Sequence, residues 1–298
     1  MQGRSGFTLV EMSIVIVIIG LIVGGILVGR DLVRAAEVRA TVTQIEKYNQ
    51  AVNTFRGKYG YLPGDMPATP ALQFGFAARG TSCGQGDGNG IIAAPPFTCF
   101  GATEGDGETA MFWVDLSFAH LIDGSFSTAN ATALTGIDYT GTGLSLWFPT
   151  AKIGNGNYVY VWSAGTCEPS CYSSAGINLF GIAAITLMAG SSNSGKITST
   201  GNITVAQAYA IDAKVDDGMP HTGRVLAIYV SSDPEWSTPM GGRDILYNPT
   251  PLGLPSVAIA ANSLSCFDNG NNASNSVQYS LEENGGSGQN CALSFMFQ

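Results

Sequence analysis

Phe7 to Gly29 reads FTLVEMSIVIVIIGLIVGGILVG, 23 consecutive residues with a single charge, Glu11. As an α-helix this run spans roughly 35 Å, enough to cross a bilayer core of about 30 Å. Six residues, MQGRSG, precede it, and Arg4 is their only charged side chain. A secretory signal peptide carries a shorter apolar core followed by a small-x-small exit site. No such exit follows Gly29; the chain continues as RDLVRAAEVRA, a good helical sequence. The apolar run is therefore expected to remain in the mature chain as its first helix. Glu11 stands out, because a carboxylate inside an apolar span is costly and usually marks a site with a partner.

Working outward, the helix is expected to continue. Val38, Val42, Ile45, Val52, Phe55 and Tyr59 recur at helical spacings, Tyr48 fills the gap, and Arg39, Glu46 and Lys47 face elsewhere. Gly57, Gly60 and Pro63 then end it. A helix from Phe7 to Phe55 would be about 70 Å long. Its second half would pack its apolar stripe under a globular head.

The chain as a whole is weakly charged but amply apolar: the 298 residues are 12% charged and 45% hydrophobic, with a formal net charge of -9. That charge is unevenly spread. Residues 1–58 hold seven Lys/Arg against four Asp/Glu, and residues 59–298 hold six against eighteen. A body that acidic has no electrostatic footprint for nucleic acid. Strands are expected at Leu144–Phe148, Tyr158–Trp162, Val225–Val230 and Ala292–Phe297, and helices at Thr109–Ile122 and Val205–Lys214. The Asn/Ser/Gly-rich segment 268–290 reads as an exposed loop.

The string Gly6-Phe7-Thr8-Leu9-Val10-Glu11 resembles the processing site of type IV pilins and of the pseudopilins of type II secretion. The likeness covers the short basic leader, the Gly–Phe junction, the glutamate four residues after that Phe, and the long apolar helix. It implies an α+β, pilin-like fold, with a long N-terminal α-helix, membrane-spanning in its first half, packed on an antiparallel β-sheet head with disulfide-bonded loops. The organisation that follows is a leader at 1–6, a transmembrane or filament-core helix segment at 7–29, an amphipathic continuation at 30–62 and a pilin-like head at 63–298. In the family a prepilin peptidase cuts after the glycine, here Gly6, and N-methylates the exposed residue, here Phe7. Glu11 matches the family's intramembrane glutamate, which neutralises the N-terminal amine of a neighbouring subunit during assembly. The physics agrees, since a buried ammonium and a buried carboxylate each avoid isolation only by meeting.

The partners so implied are the peptidase, other pilin or pseudopilin subunits, an inner-membrane assembly platform and the membrane itself. The resemblance places the chain in the bacterial inner membrane with its head in the periplasm, then in a periplasmic pseudopilus or an extracellular pilus. There is a departure: many type IV pilins carry a proline in this helix, and residues 7–62 contain none. Gly20, Gly24, Gly25 and Gly29 supply looseness or close helix approach, or simply reflect the frequency of glycine in membrane helices. A head of this size is large for a major pilin, which suggests a minor or specialised subunit. The alternative is a membrane-anchored or fibre-borne adhesin, whose head would bind a surface through Trp236 or the 268–290 loop.

Six cysteines in an exported head suggest oxidation, although six allow fifteen pairings. Proximity favours Cys83–Cys99, Cys167–Cys171 and Cys266–Cys291. Structural calcium is the one cofactor expectation, and none is required. Its candidate ligands are Asp87, Asn89, Glu104, Asp106 and Glu108, oxygen donors on tight glycine turns. An EF-hand register fails, because Gln85 and Pro96 fall where acidic ligands are needed. Some pseudopilin heads bind calcium, but their ligand positions find no match here, and a pair of solvated acidic turns is the alternative. Gly190-Ser-Ser-Asn-Ser-Gly195-Lys196 matches the front of a P-loop, yet Ile197 stands where the Mg²⁺-binding Ser/Thr belongs. Asp212 to Pro220 reads as a helix end leading through an Asp-Gly turn. His120 and His221 are isolated, and no nucleophile or zinc motif occurs. The expectation is a structural subunit rather than an enzyme.

Overall fold

The structure, a computed structural model, describes residues 8–81, 84–93, 107–131, 138–163, 177–188, 197–228 and 260–297. Helix α1 runs unbroken from Leu9 to Tyr59, about 75 Å of helix. Gly60 stops it in the left-handed conformation, φ 81°, and donates its N–H to the Arg56 carbonyl; a side chain is disfavoured there. Every residue from Thr8 to Ala36 is exposed, so nothing among the described residues covers the apolar half. Burial begins at Val38 and follows a stripe through Val42, Ile45, Tyr48, Val52 and Phe55, the spacing of one helical face.

That stripe rests on the head. A five-stranded antiparallel sheet has the order β1-β2-β7-β4, with β3 also paired to β2. The strands are β1 (Asn157–Ser163), β2 (Asn178–Met188), β3 (Ile197–Thr200), β4 (Val225–Leu226) and β7 (Leu293–Met296). A second, two-stranded sheet joins β5 (Phe267–Asp268) to β6 (Gln278–Tyr279). Helices α2 (Ala68–Gln73), α3 (Gly107–Phe118) and α4 (Val205–Val215) complete the head. Both α3 and α4 touch α1. An aromatic cluster locks helix to sheet: Phe180 of β2 lies 6.0 Å from Tyr48 and 5.9 Å from Phe112, ring centre to centre. The fold is thus α+β and pilin-like, a long apolar helix packed by its second half on an antiparallel sheet.

Strand β2 is the longest and the most central. Its first half pairs with β7 and its second half with β3, while β1 runs along its other edge. Eight successive residues from Asn178 are buried, so it shows no in–out alternation, and the sequence reading passed over it. Gly181 lies directly opposite Tyr160, and a Cβ there would stand 2.2 Å from the tyrosine ring. The glycine makes room for the aromatic ring.

Several expectations need correction. Leu144–Phe148 is not a strand: Gly141–Leu146 is a 3₁₀ helix. Leu144, Trp147 and Phe148 are the buried residues and Leu146 is exposed, a helical i, i+3, i+4 pattern rather than alternation. The helix expected to reach Ile122 ends at Phe118, because His120 turns the chain with a φ of 56°. Segment 268–290 is not simply an exposed loop. It carries β6, and Asp268, Asn269, Val277, Tyr279 and Ser280 are buried. Cys266 and Cys291 form a disulfide across a separation of 25 residues, and Cys291 also exchanges backbone hydrogen bonds with Ile203. The bridge ties the small sheet to the approach of β7.

Candidate functional site

The exposed half of α1 begins at a capping box. The Thr8 hydroxyl accepts from the Glu11 N–H at 3.3 Å. In return, Glu11 Oε2 accepts from the Thr8 N–H and from the Thr8 hydroxyl, both at 2.8 Å. The reciprocal bonds satisfy helix-end donors that hydrocarbon would leave unpaired. They also give the Glu11 carboxylate a local partner in its own chain. Both fall on Oε2, and among the described residues Oε1 accepts no bond. Gly6 and Phe7 lie outside the described residues.

The second site gathers around the acidic loop. Two of the five candidate calcium ligands, Asp87 of the Gly84–Gly90 turn and Glu108 in the first turn of α3, lie close together. The third carboxylate is Asp65, absent from that reading; one oxygen from each of the three lies within 4.8 Å of the others. Asp65 Oδ1 accepts from the N–H groups of Gly88 at 2.8 Å and Asn89 at 3.1 Å, and Oδ2 from Gly90 at 2.9 Å. Glu108 Oε1 accepts from Gly86 at 2.9 Å and Asp87 at 3.2 Å, and Oε2 from Ala93 at 2.9 Å. Two buried carboxylates thus anchor the loop by its backbone. Gly86, at φ 95°, turns that backbone inward where a Cβ would strike the Met66 carbonyl oxygen at 2.6 Å.

Burial pushes the Asp65 carboxyl up to about 7, against the pull of the Gly90, Gly88 and Asn89 amides and reinforced by the charge of Asp87. Burial likewise raises Glu108 well above the usual range, with Asp65 adding to it. Asn89 is occupied too: its side-chain amide donates to Asp87 Oδ2 and its oxygen accepts from the Ile91 N–H. A divalent cation would have to share these oxygens with the backbone donors already on them. Glu104 and Asp106 lie outside the described residues, as do Cys83, Cys99, Cys167 and Cys171. Beneath the loop, Arg79 and Asp115 form a fully buried ion pair at 2.6 Å, and Asp115 also accepts the Gly64 N–H at 2.7 Å. No motif in the sequence signalled this pair, whose members are 36 positions apart.

The Asp212–Pro220 element is a set of staples. Asp212 accepts the Gly218 N–H at 3.0 Å and the Tyr279 hydroxyl at 2.7 Å, joining the end of α4 to β6. Asp216 accepts from the Arg224 and Val225 N–H groups, and Asp217 from the Met219 N–H and the Thr222 hydroxyl. The three aspartates turn the chain from α4 into β4. The P-loop-like segment itself lies outside the described residues; Ile197, directly after it, opens β3 and not the helix that such a motif requires.

Among the described residues one uncovered apolar helix, capped at its first turn and seated by its second half on a disulfide-bonded α+β head, gives a pilin-like fold whose exposed span is long and apolar enough to cross a membrane. Residues 1–27 match the family described as the prokaryotic N-terminal methylation motif, the prepilin motif of type IV pilins and pseudopilins. The match supports a type IV pilin-like or pseudopilin precursor, and it implies processing by a prepilin peptidase and assembly with other pilin subunits. No curated protein and no solved structure matches the chain with significance.

Proposed function

We propose that this chain is a structural subunit, cut after Gly6, N-methylated at Phe7 and polymerised into a type IV pilus or type II secretion pseudopilus as a minor or specialised component. The observation that carries the reading is the methylation motif standing at the head of an apolar helix uncovered from Leu9 to Val33. Such a surface requires lipid before assembly and the helices of other subunits after it. Glu11 is the pairing site. Its Oε2 is held by Thr8, and Oε1 is the atom that would take the Phe7 amine of a neighbour. Cleavage creates that amine, so processing licenses assembly. Function lies in the polymer and not in a catalysed reaction.

Glu11→Ala tests the role directly in cells that assemble the fibre. The variant should insert in the membrane and be processed, yet enter filaments at less than about a tenth of the wild-type level. The amine it leaves unpaired in an apolar surround accounts for such a loss. Normal incorporation would contradict the proposal and favour a simple anchored binding protein, which needs only the apolar span.

A further inference from the structure

A groove of about 570 Å³ runs between α1 and α4, just beyond the apolar segment. Three cations line it: Arg34 and Arg39 from α1 and Lys214 from the last turn of α4. Its wall is an alanine row, Ala206, Ala210 and Ala213, closed at one end by Gly286. The rim is therefore basic and the floor small and apolar. No carboxylate is among the residues that line the groove; the nearest on α1, Asp31 and Glu37, each stand three positions from Arg34, and Glu37 is engaged by Gln207 Nε2 at 3.0 Å.

Position selects the occupant. The apolar run ends at Gly29. At the α-helical rise Arg34 lies about 7.5 Å and Arg39 about 15 Å further along. The headgroup layer of one leaflet is about 5–7 Å deep beyond the hydrocarbon, and long basic side chains reach back toward it. Arg34 thus stands at the outer edge of that layer, where its long side chain reaches lipid phosphates, and Arg39 lies on its solvent side. We propose that this groove holds the phosphate headgroup of an anionic phospholipid from the leaflet on the head side, with Arg34 and Lys214 on the phosphate, Arg39 beyond it on the solvent side, and the glycerol backbone against the alanine row. The contact fixes the head against the membrane before assembly. It rests on the apolar run lying in a bilayer but not on polymerisation.

The test uses the full chain in bilayer nanodiscs of phosphatidylcholine, with or without phosphatidylglycerol, and counts the lipids retained in native mass spectrometry. Phosphatidylglycerol should be kept in preference to phosphatidylcholine. Arg34→Gln and Lys214→Gln should each weaken that preference about fivefold. Ala210→Glu, at an exposed helical position, should do the same while removing no cation, and Arg56→Gln, at the far end of α1, should leave it unchanged. Equal retention of the two lipids, or a preference that survives the paired Arg34→Gln and Lys214→Gln changes, would overturn the proposal. So would stabilisation of the detergent-solubilised chain by inorganic phosphate alone, which would mark a soluble-anion site. Lipid-independent self-association lost in the same variants would overturn it in favour of a second copy's acidic head. Extraction by alkaline carbonate is read in parallel; a chain that washes out of vesicles would refute the membrane reading itself.

Discussion

Glu11 holds two hydrogen bonds from Thr8 before any neighbour is present, which reconciles an acidic residue with an apolar span. The capping box should therefore matter in the monomer. Thr8→Val removes the hydroxyl and weakens the helix start by about 1 kcal/mol; amide exchange over Leu9–Met12 in micelles should rise about fivefold, and unchanged protection would contradict the assignment. Deeper in the head, Arg79 and Asp115 are each without solvent contact. Such a pair adds little over apolar packing, but removing one partner strands the other charge. Asp115→Ala should cost about 3–5 kcal/mol in denaturant unfolding, because Arg79 and the Gly64 N–H both lose their acceptor. A loss below about 1 kcal/mol would show that the cavity fills with water at no penalty. The pair was invisible in the sequence, since nothing local links Arg79 to Asp115. Asp65 was overlooked for the same reason: its three amide donors stand more than 20 positions away.

Elements were legible where one local rule decides them. α1 announces itself by a proline-free apolar run and a stripe that begins at Val38, and Gly60 ends it. α4 follows from its stop at Asp217-Gly218 and Pro220; the capping box of Thr204 and Gln207 that starts it was also present in the sequence but overlooked. β2 was missed because a strand buried on both faces has no alternation to read. The short strands β4 to β6 owe their places to side-chain staples and the disulfide rather than to propensity. Replacing Cys266 and Cys291 together by Ser should lower head stability by about 2–4 kcal/mol, measured by denaturant melts; no change would mean that the Ile203–Cys291 backbone pair alone suffices. The Asp212 staple makes a pH prediction. Burial pushes its carboxyl up to about 7, against the hydrogen bonds from Tyr279 and Gly218, whereas an unfolded aspartate titrates near 3.9. Between those values the native state holds the extra proton, so stability falls as pH rises from about 4 to about 7 and levels off above. Asp65 acts with the same sign. Tm should be higher near pH 5 than near pH 8, with Asp212→Asn flattening part of the slope; equal values would contradict it. Calcium that raised Tm near pH 8, reversed by chelator and lost on Asp87→Asn, would mark Asp65, Asp87 and Glu108 as a cation site rather than the Asp212, Asp216 and Asp217 cluster.

At the scale of the whole molecule, one chain joins three surfaces with different solvents. Leu9–Gly29 is apolar but for Ser13 and the capping Glu11 and is exposed throughout, Arg30 to Arg39 form a mixed but basic collar, and residues 59–298 are acidic by twelve charges. This gradient was readable from composition alone, and with the Gly6–Phe7–Glu11 motif it carried the class of protein. What the head binds was not, because the carboxylates that organise it, Asp65, Glu108 and Asp212, meet partners distant in sequence. The central claim is that the uncovered helix enters a prepilin pathway. The most direct measurement is the intact mass and N-terminal sequence of the chain, produced with and without a prepilin peptidase. The account predicts a mature chain that begins at Phe7 and is one methyl group heavier, found only with the peptidase. A retained MQGRSG leader, an unmethylated Phe7, or cleavage beyond Gly29 would contradict it.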